Sequence, residues 1–278
     1  MKIGVVDVGG GYRGIYAAGV LDYCMDQNIS FDEGIGVSAG SANLVSYAAH
    51  QARRNLRFYT EYGIRKEYAS PRNFIKKNTF IDLDYAYSTL SNSDGEYPLD
   101  YPAFANNPME FYVVATEAET GEGRYFEKAD VSQDHYDIMK ASCAIPAVCH
   151  PYEVNGIPYF DGALADPVPV KKAFELGCDK VVLILTKPKD FVRDLHEDDR
   201  LVRLIHHRYS AAAEGLHLRA QRYNEGVAYA KTLEAEGKVL IVAPEDTCGV
   251  TTLTRDPDLL KELYNKGYED GNKINDFY

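Results

Sequence analysis

The sequence predicts an α/β fold built on a mostly parallel central sheet. Three observations carry that expectation. Short apolar runs alternate with helix-like stretches along the 278 residues. The runs Ile3 to Val8, Lys180 to Thr186 and Lys238 to Ala243 are apolar throughout, as in strands covered on both faces. Two glycine motifs, Val8-Gly9-Gly10-Gly11-Tyr12-Arg13-Gly14 and Gly36-Val37-Ser38-Ala39-Gly40, each stand where a strand pattern gives way to a helix pattern.

Taken in order, Ile3 to Val8 is the first strand, and Tyr12 to Gln27 follows as a helix. Gly34 to Val37 is a second strand, feeding a helix over Ala39 to Arg54 whose alanines and glycine allow close packing. The tyrosine-rich segment 59–108 has weak periodicity and reads as a cap or insertion. Glu110 to Thr116 and Gly123 to Phe126 flank Thr120-Gly121-Glu122 as a hairpin, and Asp137 to Cys143 is a short helix. Asn155-Gly156 marks a turn before a strand over Ile157 to Phe160, and Val168 to Leu176 forms a helix beside Pro167 and Pro169. Between the last two strands lie two amphipathic patterns, Leu201 to Ala212 and Leu216 to Ala230, expected to form a helical hairpin broken near Gly215. The expected organisation is a core over 1–176, with 177–278 adding the final core strands, the hairpin and a helical extension to the same domain.

Composition bounds the partners. At 45% hydrophobic and 26% charged residues the chain can bury a large core, and a net charge of −12 argues against nucleic acid. No stretch approaches a membrane span and the first residues enter a strand pattern without signal-peptide features, so a cytoplasmic location is expected. Five scattered cysteines fit reduced, buried thiols. Residues 51–80 dissent from the acidic balance, with eight basic side chains against two acidic ones. A solvated helix face is the bland reading. The sharper one is peripheral contact with an anionic membrane, with Phe58, Tyr59, Tyr62, Phe74 and Phe80 interleaved.

The chemistry lies in the glycine motifs. In Gly36-Val37-Ser38-Ala39-Gly40 the serine would stand on a sharp strand-to-helix turn, with Gly36 and Gly40 small because the chain folds back on itself there. The glycine loop Gly9, Gly10, Gly11 offers backbone N–H donors, and Arg13 can brace it or lend positive charge. A base is missing nearby. Asp161, in Tyr159-Phe160-Asp161-Gly162-Ala163, is the best placed acid, ending an apolar stretch before small residues. Gly9, Gly11 and Gly14 also match a dinucleotide fingerprint, but that reading needs an acid at the end of the second strand, where Ser38 stands instead; Asp32 and Glu33 precede the strand.

The run Asp7 to Gly14, then Ala18-Gly19-Val20-Leu21-Asp22, the Ser38 motif, Ala141-Ser142-Cys143-Ala144-Ile145-Pro146 and Asp161-Gly162-Ala163 together resemble a patatin-like phospholipase from residue 3 to about 175. Leu253-Thr254-Arg255-Asp256-Pro257 and Leu263 to Tyr268 are similar to the C-terminal extension of a bacterial subgroup. The resemblance implies a three-layer fold and a lipid acyl hydrolase acting on an acyl lipid or small acyl ester without metal or cofactor. It implies Ser38 as nucleophile, Asp161 as base, and Gly10 and Gly11, with Gly9, as the oxyanion hole; Arg13, Gly36, Gly40 and Gly162 support them. Departures are small: Val8 stands where many members have an acid or glycine, Ala163 where a glycine is frequent, and Ala147 where glycine is common.

Two readings compete. A conventional triad would need a histidine after the acid, from His196, His206, His207 or His217; none stands in a strand-end motif, and His206 and His207 fall within the first amphipathic helix pattern. A small-ester or thioester esterase, or a non-catalytic lipid-binding protein of the same fold, would keep the scaffold with a different task.

Overall fold

The computed structural model describes residues 1–277. The chain opens with β1 (Ile3–Asp7), α1 (Ile15–Asp26), β2 (Glu33–Val37) and α2 (Ala39–Ala48). Three short helices, α3 (Arg54–Arg57), α4 (Pro71–Lys77) and α5 (Tyr101–Asn106), lead to β3 (Glu110–Glu117) and β4 (Gly123–Glu127). Next come α6 (Asp137–Cys143), β5 (Tyr152–Val154), β6 (Ile157–Asp161), α7 (Val170–Glu175) and β7 (Lys180–Ile184). The chain ends through α8 (Asp199–Ile205), α9 (Ser210–Ala235), β8 (Val239–Val242) and α10 (Pro257–Asp270).

One sheet runs β5-β6-β3-β2-β1-β7-β8 with β4 paired to β3, and the strands from β3 through β8 along that path are parallel. Period-two alternation explains why the central strands read as continuous apolar runs. Val5, Val182 and Ile184 face a core shared with α1, α2, α6 and α10, whereas Val6, Val181 and Leu183 face a second core shared with α7 and most of α9. Helices on both faces make three layers. The Asn155-Gly156 turn behaves as expected, with φ of 53° and 79° joining Val154 to its partner Ile157.

One edge of β3 is shared by two strands, and this positions the site. β4 occupies one edge over residues 112–116, while β2 pairs along the other over 110–114, in parallel, and β6 takes over that same edge at 115–117 from the opposite direction. Val37 lies opposite Val114 and Asp161 opposite the next residue, Ala115. The C-terminal ends of β2 and β6 therefore meet.

Several expectations are corrected. The break between the amphipathic helices falls at His206–Tyr209, not near Gly215, because Tyr209 leaves helical geometry (φ −136°, ψ 72°) with its ring packed on Phe160. Gly215 lies within α9, where a methyl group would make only ordinary contact with Leu164. His206 and His207 consequently sit in the break rather than inside a helix. The helix expected to reach Arg54 stops at Ala48. His50 takes a left-handed φ of 52°, the N–H groups of His50 and Gln51 return to Tyr47 and Ser46, and the Asp22 carboxylate takes the Arg53 N–H at 2.9 Å. Glu33 belongs to β2, its buried carboxylate pairing with Lys2 at 2.8 Å.

Across the outer face of α1 lies α10. A Cβ on Gly19 would stand 2.2 Å from the Tyr264 carbonyl oxygen and one on Gly267 2.0 Å from that of Tyr16, so the two helices cross backbone to backbone. Tyr264 also donates to Asp22 at 2.7 Å. No helix of the described residues is long and apolar enough to cross a membrane.

Candidate active site

Ser38 occupies the turn between β2 and α2 in a strained conformation, φ 56° and ψ −130°. The turn is held from both sides: the Ser38 N–H donates to Ser142 Oγ at 2.8 Å, and its carbonyl accepts from Ser41 Oγ at 2.7 Å. Closeness of the chain to itself explains the flanking glycines. A Cβ at Gly36 would lie 2.5 Å from Ser41 Cα, and one at Gly40 2.2 Å from the Asp7 carbonyl oxygen.

The glycine loop follows β1 with φ of 63°, 124° and 60° at Gly9, Gly10 and Gly11, values that L side chains rarely adopt. The Gly9 N–H is engaged by Asp7 Oδ1 at 2.9 Å. No carbonyl or side chain among the described residues takes the N–H of Gly10 or Gly11. Asp7 is fully buried and also accepts from Asn43 Nδ2 at 2.9 Å, which in turn donates to the Gly14 carbonyl at the same distance. Burial pushes the Asp7 carboxyl up to about 6 despite these two donors.

Distant chain completes the loop's support. Thr186, just beyond β7, donates to the Gly9 carbonyl; Thr252 accepts the Tyr12 N–H at 3.2 Å through its carbonyl and Arg13 Nη1 at 2.9 Å through its hydroxyl. Neither threonine, nor Asn43, stands out in the sequence as a site residue, since each acts on a segment far away along the chain.

Asp161 ends β6 and is buried. Its Oδ1 accepts the Ala163 N–H at 2.9 Å, and Gly162 is required because a Cβ there would lie 2.2 Å from the Val114 carbonyl oxygen. Burial raises the Asp161 carboxyl, opposed first by the nearby Ser38 side chain, then by the Ala163 N–H and the charges of Arg219 and Arg193. Ser38, Asp161 and the three loop glycines thus share one cavity of about 290 Å³, lined also by Arg13. A second, apolar pocket of about 50 Å³ reaches Ser38, walled by Tyr12, Phe58, Tyr59, Leu83 and Tyr87. Behind it a further apolar pocket of about 40 Å³ shares Ala42, Phe58, Ala86 and Tyr87. The tyrosine-rich segment 59–108 supplies much of this apolar wall.

Histidine is absent from these cavities among the described residues. Six of the seven histidines are exposed, and His150 stacks on Tyr152. Ala147 has a left-handed φ of 67°, so alanine there carries a strain that glycine would not. At the end of β2, where a dinucleotide-binding strand needs an acid, stands Ser38, and Asp32 is engaged by the Ile3 N–H at 2.7 Å.

Residues 8–174 match the family model for patatin-like phospholipase, and residues 209–276 match that of a domain of unknown function (DUF6363). The chain is 32% identical over 192 residues to the uncharacterized protein YjjU of Escherichia coli, covering 67% of this chain and 52% of that one. It is 24% identical over 183 residues to an uncharacterized NTE family protein of Mycobacterium tuberculosis, covering 63% and 46%. It therefore spans about half the length of the curated relatives it matches. Among solved structures, VipD from Legionella pneumophila superposes with a TM-score of 0.50 at 13% identity, over 99% of this chain and 67% of that one, a likeness of fold. With the model for that family matched across both glycine motifs and through Asp161, the chain belongs to the patatin-like phospholipase family.

Proposed function

We propose that the protein is a serine lipid acyl hydrolase that cleaves carboxylic esters through Ser38 and Asp161. The observation that carries this reading is the meeting of β2 and β6 on one edge of β3, which brings a strained serine and a buried carboxylate into one cavity beside unengaged N–H donors. In the first step the Ser38 Oγ proton passes to Asp161 as Oγ bonds to the acyl carbon. The carbonyl oxygen becomes an oxyanion held by the N–H groups of Gly10 and Gly11. Collapse breaks the ester bond, and the leaving alkoxide takes the proton from Asp161. Water, deprotonated by the same carboxylate, then releases the acid and restores Ser38. The apolar pockets beyond Ser38 suit the acyl chain.

A fluorophosphonate probe tests this directly. Stoichiometric labelling at Ser38, with release of fatty acid from phospholipid vesicles, is the expected result. Labelling without lipid turnover would make the protein a small-ester or thioester esterase, and absence of labelling would favour a lipid-binding protein of this fold.

Contact with an anionic membrane is a second part of the proposal, confined to a smaller surface than the basic window as a whole. Arg53 pairs with Asp26, Arg57 with Glu61, Arg65 with Glu96 and Lys77 with Asp82, while buried Arg54 donates to Ser91 Oγ and the Tyr97 carbonyl. Lys66, Arg72 and Lys76 are exposed, and α4 presents Phe74 and Ile75, 51% and 85% exposed, beside the last two. Apolar side chains flanked by cations favour an anionic lipid surface. With Phe74→Ser and Ile75→Ser combined, the ratio of turnover on anionic vesicles to turnover of a soluble short-chain ester should fall about tenfold. An unchanged ratio would make α4 a solvated helix face.

A further inference from the structure

The larger cavity at Ser38 holds positive charge that its own acids do not match. Arg219 is settled, its Nε and Nη2 forking onto Asp198 at 2.8 and 2.7 Å. Arg13 is different. Only 8% exposed, it spends Nη1 on the Thr252 hydroxyl, its Nε has no partner, and no carboxylate of the described residues lies within ion-pairing distance. Lys187 has no ion pair among the described residues either; its ammonium rests on the Phe191 ring, 3.5 Å from the centroid. Arg193 reaches Glu197 through Nη1 but leaves Nε unpaired, and its guanidinium lies over the Tyr223 ring at 4.7 Å. The Arg193 backbone is pinned by Asn224 of α9, which accepts its N–H at 2.8 Å and donates to its carbonyl at 3.0 Å.

We infer that Arg13, Lys187 and Arg193 form a subsite for a phosphate group, in the same cavity as Ser38 and Asp161. Donors on three separate side chains fit a tetrahedral ligand with several acceptor oxygens better than a planar carboxylate, which one arginine fork satisfies. Like charges held together in a half-buried cavity are costly without a counter-ion. Burial, then Arg193 and Arg13, lower Lys187 to about 8, and burial followed by Arg193 lowers Arg13 to about 10; a bound anion relieves both effects. Lys187 and Arg193 lie outside both matched family segments, 8–174 and 209–276. The subsite deepens the hydrolase reading and rests on it for its role: with the acyl chain in the apolar pockets, the alcohol half of a glycerophospholipid would extend into the cationic cavity.

Binding and turnover separate the two ideas. Ser38→Ala protein is titrated calorimetrically with inorganic phosphate and with sn-glycerol 3-phosphate, alone and combined with Lys187→Gln, Lys187→Arg or Arg193→Gln. Each loss of a charged donor, Lys187→Gln or Arg193→Gln, is expected to weaken binding about tenfold or more, with Lys187→Arg retaining most of it. Tighter binding of glycerol 3-phosphate than of inorganic phosphate assigns the site to a lipid head group; the reverse assigns it to free phosphate. No heat with either probe, or equal affinity in Lys187→Gln, overturns the subsite. In protein with Ser38 intact, Lys187→Gln should also lower the kcat/KM ratio for dihexanoylphosphatidylglycerol over dihexanoylglycerol about tenfold. Failure of the parent enzyme to cleave either ester would count against the hydrolase and leave the calorimetric result to decide the subsite.

Discussion

Ser38→Ala and Asp161→Asn, each in protein that retains its fold, are expected to lower ester turnover on the order of 10⁴-fold or more, because nucleophile and base act as one unit. Substituting any histidine should leave turnover within a few-fold of the parent, since none lines the cavities at Ser38 among the described residues. A histidine variant as inactive as Ser38→Ala would replace the dyad with a triad. The proposed dyad also sets an expected pH profile. Asp161 must be ionised to accept the Ser38 proton, and its raised pKa means that activity is lost on acidification at a higher pH than for an ordinary carboxylate. Stability runs the other way. A carboxyl whose folded pKa is raised gives stability that is complete below its unfolded value and lost as pH climbs through the folded value. For Asp7 that window runs from 3.8 to about 6. As pH climbs through that window the thermal midpoint of the parent should therefore fall relative to that of an Asp7→Asn variant, while kcat rises with pH as Asp161 ionises; a difference between parent and variant that does not change with pH would contradict the assignment.

Gly10→Ala and Gly11→Ala are expected to cost on the order of 10²-fold or more in kcat, with a smaller change in KM, since both displace the N–H groups proposed to hold charge that appears only in the transition state. The structure says how. A methyl at Gly10 would meet Thr186 Oγ1 at 2.7 Å with φ at 124°, and one at Gly11 would meet the Thr252 carbonyl oxygen at 2.5 Å with φ at 60°. Thermal melts control for folding. Full activity in a folded Gly10→Ala variant would remove the loop from the oxyanion role.

What was legible in the sequence is what local backbone geometry dictates. Ser38 stands on a strand-to-helix turn between two obligatory glycines, the Gly9–Gly11 loop has left-handed φ throughout, and Asn155-Gly156 makes its hairpin turn, because each demand falls on adjacent residues. Contacts between distant segments leave no such trace. Arg13 meets Thr252 across 239 positions and Asn43 meets Asp7 across 36, and nothing near any of these residues announces the partner. Arg193 and Lys187 became informative only once the chain brought them beside Arg13 in one cavity. The misplaced hairpin break has the same origin: Gly215 reads locally as a breaker, whereas the packing of Tyr209 on Phe160 determines where the helix starts.

The sheet order also sets a timetable for assembly. β1 leaves the ribosome well before its neighbour β7, which carries residues 177 positions later, and the Gly9–Gly11 loop waits for both Thr186 and Thr252. At synthesis rates of about 5–20 residues per second, some 240 residues take roughly 12–50 s. Over that interval β1 and β2 can pair with each other while the loop between them lacks its clamp and, until Ser142 has been made, the Ser38 N–H lacks its acceptor. The glycine loop proposed to hold the oxyanion is fully braced only once Thr252 has joined the fold.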